Sequence, residues 1–76
     1  MDQIRFLTEQ IIQDVVEYLV EDQQIEYDKA IDVLYSSQVF QKLIDPACGL
    51  YLESSAYVYE LLKSELLEGS IIQHEQ

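Results

Sequence analysis

The 76-residue chain has few of the residues that form disulfides, tight turns and phosphate-binding loops: it contains one cysteine, one proline and two glycines. The single cysteine, Cys48, leaves no possibility of an internal disulfide. Two glycines cannot make a glycine-rich phosphate loop, so the sequence does not support nucleotide binding. Because a chain this short buries only about 60% of its unfolded surface, it depends on well-packed helices, a metal or a partner chain.

Basic residues are also scarce, with four against fifteen acidic residues and a net charge of −11. This charge repels phosphate and anionic lipid, so we expect no direct contact with nucleic acid or membrane. A protein partner with a basic surface is the natural complement, although the same charge is equally typical of a protein that is simply well hydrated. No apolar run approaches the ~20 residues of a membrane span. The N-terminus lacks the pattern of a signal peptide, and with the unpaired cysteine this predicts a cytoplasmic protein.

What the chain does contain is 49% hydrophobic residues, including six tyrosines, which is the composition of a folded protein. Four segments have apolar residues at helical spacing. They are Ile4 to about Val20, Glu26–Tyr35, Gln38–Ile44 and Ser54–Leu67. Residues 21–24 either continue the first helix or form the connection to the second. Ser36 and Ser37 separate the second and third helices, and Pro46 ends the third.

The last of these segments is apolar over more than half of its circumference, so we predict that it is the most buried helix. Its predicted start is the serine pair at 54 and 55, and its predicted stop is Gly69. Before it, Pro46–Gly49 is predicted to be a turn with positive φ at Gly49, and Leu50–Leu52 a short extended stretch whose leucines pack inward. The fold prediction is one all-α domain over residues 1–76, a compact bundle of about four helices, with 70–76 as a tail that is either docked or mobile.

No set of residues predicts catalysis or a metal site. Cys48 and His74 are the only soft metal ligands and are far apart in sequence, while zinc needs three or four ligands. Two pairs of carboxylates, Glu17 with Glu21 and Asp28 with Asp32, are spaced four residues apart on predicted helices. The spaced oxygen ligands and the glycine of a calcium loop are missing. Lys42 is the only basic residue near Cys48, so a reactive thiol has little support. We therefore expect no enzyme activity, no cofactor and no metal.

Surplus apolar and aromatic side chains suggest a surface for a partner. The candidates are Phe6, Val16, Val20, Tyr51, Tyr57 and Tyr59. The first three lie beyond the main apolar stripe of the first helix, where they cover another helix of the chain or contact a partner. Tyr57 and Tyr59 point about 160° apart on a helix, so one can face the core while the other faces outward. Filling of the core by the tyrosine rings and binding of a partner both remain open.

Four segments resemble a group of small, uncharacterised, acidic helical bacterial proteins, some of which are encoded beside toxin-like genes, including ADP-ribosyltransferase-like ones. The resemblance lies in Ile4–Glu9, Ala30–Ser37, Leu43–Pro46 and Gly49–Leu62. It implies a helical fold and an antitoxin-like or accessory role. Position 48 in that group is usually threonine, so the cysteine here argues against an essential thiol.

Three functional hypotheses follow. The first is a small acidic protein–protein interaction module, extended by the resemblance to an antitoxin-like or accessory role. The second is a homodimeric structural protein whose partner is a second copy of itself. The third is a small carboxylate-based enzyme, which would need desolvated carboxylates converging in a pocket.

Overall fold

A computed structural model describes the backbone of residues 3–75 and the side chains of residues 3–68. Over this part of the chain the fold is all-α, with four α-helices and no strand, which confirms the predicted fold class. The helices are α1 (Gln3–Gln23), α2 (Tyr27–Tyr35), α3 (Gln38–Leu43) and α4 (Ser55–Glu75). Two single turns of 3₁₀ helix, Pro46–Cys48 and Leu50–Leu52, connect α3 to α4.

The first helix continues through the polar segment that the sequence left open. It ends at Gln23, and Gln24 follows with a φ of 56°. Neither glycine nor proline interrupts residues 21–23, so the helix extends until the left-handed residue reverses the chain direction. This extension places Asp22 one turn beyond Tyr18, on a regular helix.

The serine pair between α2 and α3 acts as predicted. Ser37 is buried, and its hydroxyl accepts a hydrogen bond from the Phe40 amide at 3.1 Å while donating to the Leu34 carbonyl at 2.6 Å. It therefore caps the start of α3 and holds the end of α2 at the same point. The short helix α3 ends at Leu43, before the proline that was expected to stop it.

The core lies along α1, which packs against both α2 and α4. Its buried hydrophobic residues are Ile11, Val15, Val16, Leu19, Ala30, Leu34, Val39, Leu43, Val58, Tyr59 and Leu62. Among the described side chains, α1 contributes more of this set than α4 does, so the prediction that α4 is the most buried helix is wrong. The physical reason is that α4, although it packs against α1 and α3, has an apolar surface that extends beyond these neighbours to Leu67, which is 69% exposed.

The connection between α3 and α4 is only partly as predicted. Gly49 has the expected positive φ, at 70°. Leu50–Leu52, however, is a 3₁₀ turn and not an extended stretch. Leu50 packs against the core, but Leu52 is 70% exposed, so only one of the two leucines points inward. A three-residue turn rotates its side chains through a full circle, which an extended segment would not do.

The second glycine does not stop α4. The helix runs through Gly69 to Glu75, because an isolated glycine costs a helix only about 1 kcal/mol relative to alanine and does not by itself end it. The expectation of a docked or mobile tail over 70–76 falls on side chains outside the described residues, so both alternatives stay open.

Candidate functional site

A groove of about 500 Å³ runs between α1 and α4, and we call it the α1–α4 groove. Its polar and aromatic lining consists of Tyr18, Glu21, Asp22, Tyr59, Glu60 and Lys63. The lining thus contains three carboxylates, one ammonium group and two phenol rings. The groove combines an aromatic wall with an excess of negative charge.

The two tyrosines form the aromatic wall. Their ring centroids lie 5.4 Å apart with the planes tilted by 53°, a favourable geometry for an aromatic pair. Tyr59 is only 7% exposed and Tyr18 is 37% exposed. Tyr59 therefore forms the floor of the groove, and Tyr18 forms a rim that a ligand can contact.

A hydrogen bond across the groove orients one of the carboxylates. The hydroxyl of Tyr59 donates to Oδ2 of Asp22 at 2.6 Å. Burial of the phenol, together with its bond to Asp22, raises the pKa of Tyr59 to about 12. The same hydrogen bond, with a smaller contribution from the charge of Lys63, lowers the pKa of Asp22 below its usual value. At neutral pH the phenol is therefore protonated and the carboxylate charged.

Lys63 places a cation of the chain itself against this aromatic wall. Its Nζ lies 5.2 Å from the centroid of the Tyr59 ring and 3.3 Å from Oε2 of Glu60. The ion pair is largely solvent-exposed, so it adds little to stability. Its arrangement nevertheless shows the kind of group that the groove accommodates, namely a cation held between a ring face and a carboxylate.

Two serines stabilise the N-terminal end of α4, one by capping the helix and one by joining it to α1. Ser54 caps the helix, since its hydroxyl accepts from the Tyr57 amide at 3.1 Å. Ser55 donates from its hydroxyl to Oδ2 of Asp14 at 2.7 Å. The predicted serine start is thus confirmed, and the serines also position Tyr59 one turn further on.

A second groove, of about 270 Å³, lies on another side of α1, and we call it the α1–α2 groove. It is lined by Glu9, Ile12, Gln13, Val16, Tyr27, Ile31 and Tyr35. Tyr27 and Tyr35 are about half exposed. The ring of Tyr35 stacks on Phe40 of α3, with centroids 4.4 Å apart and planes within 17° of parallel. This groove has fewer charged side chains in its lining than the α1–α4 groove, and three aliphatic ones.

The structure separates the six side chains predicted to bind a partner. Phe6 and Tyr57 are about half exposed, whereas Val20 and Tyr51 are partly buried against the core. Tyr57 and Tyr59 point in opposite directions as predicted, one outward and one into the core.

Two of the six are core residues. Val16 is 2% exposed and Tyr59 is 7% exposed, so both fill the core, which is one of the two alternatives that the sequence left open for them. Val16 is covered because α2 packs over that side of α1. A partner can reach these two residues only through the grooves whose walls they form, and their role in binding stays a prediction.

Several residues of the grooves were not among the sequence-based candidates. Tyr18, Tyr27 and Lys63 are among them, and Tyr27 is 56% exposed. Asp22 belonged to a segment whose helical state the sequence left open. The signal that could have identified the α1–α4 groove is the spacing of Tyr18 and Asp22, which becomes one helical turn once α1 is extended to Gln23.

Within residues 3–68, whose side chains the structure describes, no three His, Cys, Asp or Glu side chains gather into a group that could hold a metal ion. Cys48 is exposed, with its Sγ 3.9 Å from Oδ2 of Asp45. None of the helices, over the described residues, combines the length and the apolar character needed to cross a membrane. The expectations of no metal, no cofactor and no enzyme activity stay predictions.

Comparison of the chain with models of known protein families, with curated proteins and with solved structures finds no match. The resemblance to small acidic bacterial proteins is therefore a hypothesis that rests on the sequence segments alone.

Proposed function

We propose that this chain is an acidic protein–protein interaction module, without enzymatic activity of its own, that binds a partner through the partner's basic surface. The observation that carries the proposal is the α1–α4 groove, where Tyr18 and Tyr59 stand beside Glu21, Asp22 and Glu60. Aromatic rings and carboxylates together favour a lysine or arginine side chain.

The groove presents its charges in a fixed arrangement. Asp22 is held by the Tyr59 hydroxyl, and that hydrogen bond uses one carboxylate oxygen, Oδ2. A partner's guanidinium can then meet Asp22 and Glu21 while lying over the exposed part of the Tyr18 ring. Because the rings and Asp22 are already ordered, little conformational entropy is lost when a partner binds.

The net charge of the whole chain supports the same kind of partner. A charge of −11 on 76 residues attracts a basic protein over a long range and raises its association rate. It also predicts that binding weakens as salt is added, since screening acts over about 10 Å at 0.1 M ionic strength.

A homodimer is the second candidate, favoured by exposed apolar side chains such as Phe6 and Leu67. The net charge opposes it, because each copy brings −11 to the contact. The finer form of our leading proposal, an antitoxin-like or accessory role toward a neighbouring gene product, is supported by the sequence resemblance only.

The proposal is tested by identifying the protein that co-purifies at native expression levels and then rebuilding the complex from the two purified chains. We expect a complex that weakens with added salt and weakens further in Tyr18→Ser, while the control Leu52→Ser, at an exposed position outside the groove, binds like the wild type. Circular dichroism shows whether each variant is folded. If no partner forms a stable complex, or if Tyr18→Ser and Leu52→Ser bind equally well, the proposal is contradicted.

A further inference from the structure

We infer that the α1–α2 groove is a second docking surface, which takes an amphipathic helix of the partner with lysine or arginine along the margins of its apolar stripe. The inference rests on the proposed function, since it assumes a protein partner with a basic surface. It concerns a different side of α1 from the one that carries Tyr18 and Asp22.

The apolar part of this groove has the shape of a helix-binding surface. Tyr27, Ile31 and Tyr35 follow one another at four-residue intervals along α2, so they form a row about 12 Å long. Ile12 lies opposite on α1, partly buried against the core. A partner helix would cover such a row with apolar anchors spaced three and four residues apart over about two turns.

The aromatic rim is held in place before any partner arrives. Tyr35 is half exposed, but one face of its ring lies against Phe40. Stacking limits the rotamers that Tyr35 can adopt, so less entropy is lost when a partner packs on its other side. Tyr27 at the opposite end of the row is 56% exposed and offers the largest free ring surface of the groove.

Charge around the row selects the partner. Asp28 and Asp32 occupy the helix positions directly beside the tyrosine row, on its solvent side, and both are exposed. Glu9 lines the opposite wall, where Arg5 pairs with it at 3.2 Å in an exposed contact that contributes little. Carboxylates thus border the apolar row on both helices, which favours basic margins on the helix that docks there.

The same charges disfavour other occupants. A second copy of the chain would bring its own acidic margins and another net charge of −11 to the groove. A nucleic acid or an anionic membrane would meet the same repulsion. A basic amphipathic helix is the one occupant that satisfies both the apolar row and its acidic border.

The probe for this inference is a fluorescein-labelled synthetic peptide of about 18 residues, about 27 Å long as a helix, with a leucine stripe and lysine and arginine margins. Three controls accompany it. One peptide keeps the stripe but has glutamate margins, one has the composition of the probe in scrambled order, and the protein variant Leu52→Ser removes an exposed apolar side chain from outside the groove. Binding is followed by fluorescence anisotropy.

We expect the probe to bind the wild type and Leu52→Ser alike, and to lose at least about tenfold in affinity with the double variant Tyr27→Ser/Tyr35→Ser. The glutamate and scrambled peptides should not bind measurably. The inference is overturned if the probe fails to bind with a Kd below about 0.1 mM, if the scrambled peptide binds equally, or if the double variant remains folded and binds like the wild type.

Sedimentation completes the test. If the wild type sediments as a dimer and the double variant as a monomer, a second copy occupies the groove and the inference is wrong. A monomeric wild type supports the inference. The result is separable from the proposed function. If the probe does not bind but Tyr18→Ser still weakens the rebuilt native complex, only the second docking surface is contradicted. If no native complex forms at all, the proposed function and the second docking surface are both contradicted.

Discussion

The hydroxyl of Tyr59 on α4 donates a 2.6 Å hydrogen bond to Oδ2 of Asp22 on α1, which joins the two helices across 37 residues of sequence. The bond sits at the floor of the α1–α4 groove and fixes one of its carboxylates. Because it changes the pKa of both partners, it also makes the stability of the fold depend on pH.

At alkaline pH the effect comes from the phenol. Burial and the bond to Asp22 raise the pKa of Tyr59 from 10.0 to about 12, so between these values the unfolded chain loses a proton that the folded chain keeps. The free energy of unfolding should therefore fall from pH 10 to pH 12. Denaturant titrations at a series of pH values measure this slope. Tyr59→Phe should flatten it relative to the exposed control Tyr57→Phe, and equal slopes in the two variants would refute the assignment.

At acid pH the effect comes from Asp22. Its pKa in the folded chain lies below the ordinary 3.8, chiefly because the Tyr59 hydroxyl stabilises the carboxylate. The contribution is present above pH 3.8 and is lost as pH falls through the lowered value. Asp22→Asn should reduce the acid dependence of unfolding more than Asp28→Asn, which removes an exposed carboxylate from α2. Indistinguishable acid profiles for the two variants would contradict this.

Core packing is tested on α4 by two leucines of opposite exposure. Leu62 has no exposed surface, so Leu62→Ala should lower the free energy of unfolding by about 2–5 kcal/mol. Leu67 is 69% exposed, so Leu67→Ala should change it by less than about 0.5 kcal/mol. Thermal and urea unfolding of both variants measures the difference, and a larger loss for Leu67→Ala would show that α4 is oriented differently.

The N-terminus of α3 depends on a carboxylate from α4. The two oxygens of Glu65 accept from the amides of Gln38 and Val39 at 2.7 and 2.9 Å, groups that no bond within the helix could satisfy. Glu65→Ala should cost about 1 kcal/mol, a usual value for the loss of a helix cap. Glu68→Ala, one turn further along α4 and exposed, is the control. Equal stability of these two variants would contradict the capping of α3 by Glu65.

The turn before α4 gives a test of backbone conformation alone. Gly49 has a φ of 70°, and a Cβ added there would meet nothing within 4 Å. Gly49→Ala should therefore destabilise the fold through the left-handed conformation only, by about 1 kcal/mol. Gly49→Asn should cost less, because asparagine adopts this conformation more readily. If both variants were as stable as the wild type, the positive φ would not be required.

Much of the fold could be predicted because it depends on local patterns. The apolar spacing gives the four helices, the serines at 37 and 54 give two of their starts, and Gly49 gives the turn. The burial of each helix could not be predicted in the same way. It depends on how much of each apolar surface the neighbouring helices cover, so α1 holds more of the described core than α4, whose wider apolar surface extends past its neighbours to the exposed Leu67.

The candidate grooves were less predictable, because each is made by side chains from two helices. Tyr59 was among the candidates but Asp22, its partner from α1, was not, since the hydrogen bond between them requires the packing angle of the two helices. The cap from Glu65 to α3 has the same origin, as its partners are 26 and 27 residues away in sequence. Periodicity identifies the face of a helix but not the residue that it meets.

Chemical-shift mapping of the isotope-labelled chain, while the co-purified partner is added, tests most directly whether the α1–α4 groove receives a basic partner. We expect the amide and side-chain signals of Tyr18, Glu21 and Lys63 to shift together, and the shifts to shrink as salt is raised. Shifts confined to exposed residues outside the groove, such as Leu52 and Leu67, with no change at Tyr18, would contradict the claim that the α1–α4 groove receives a basic partner.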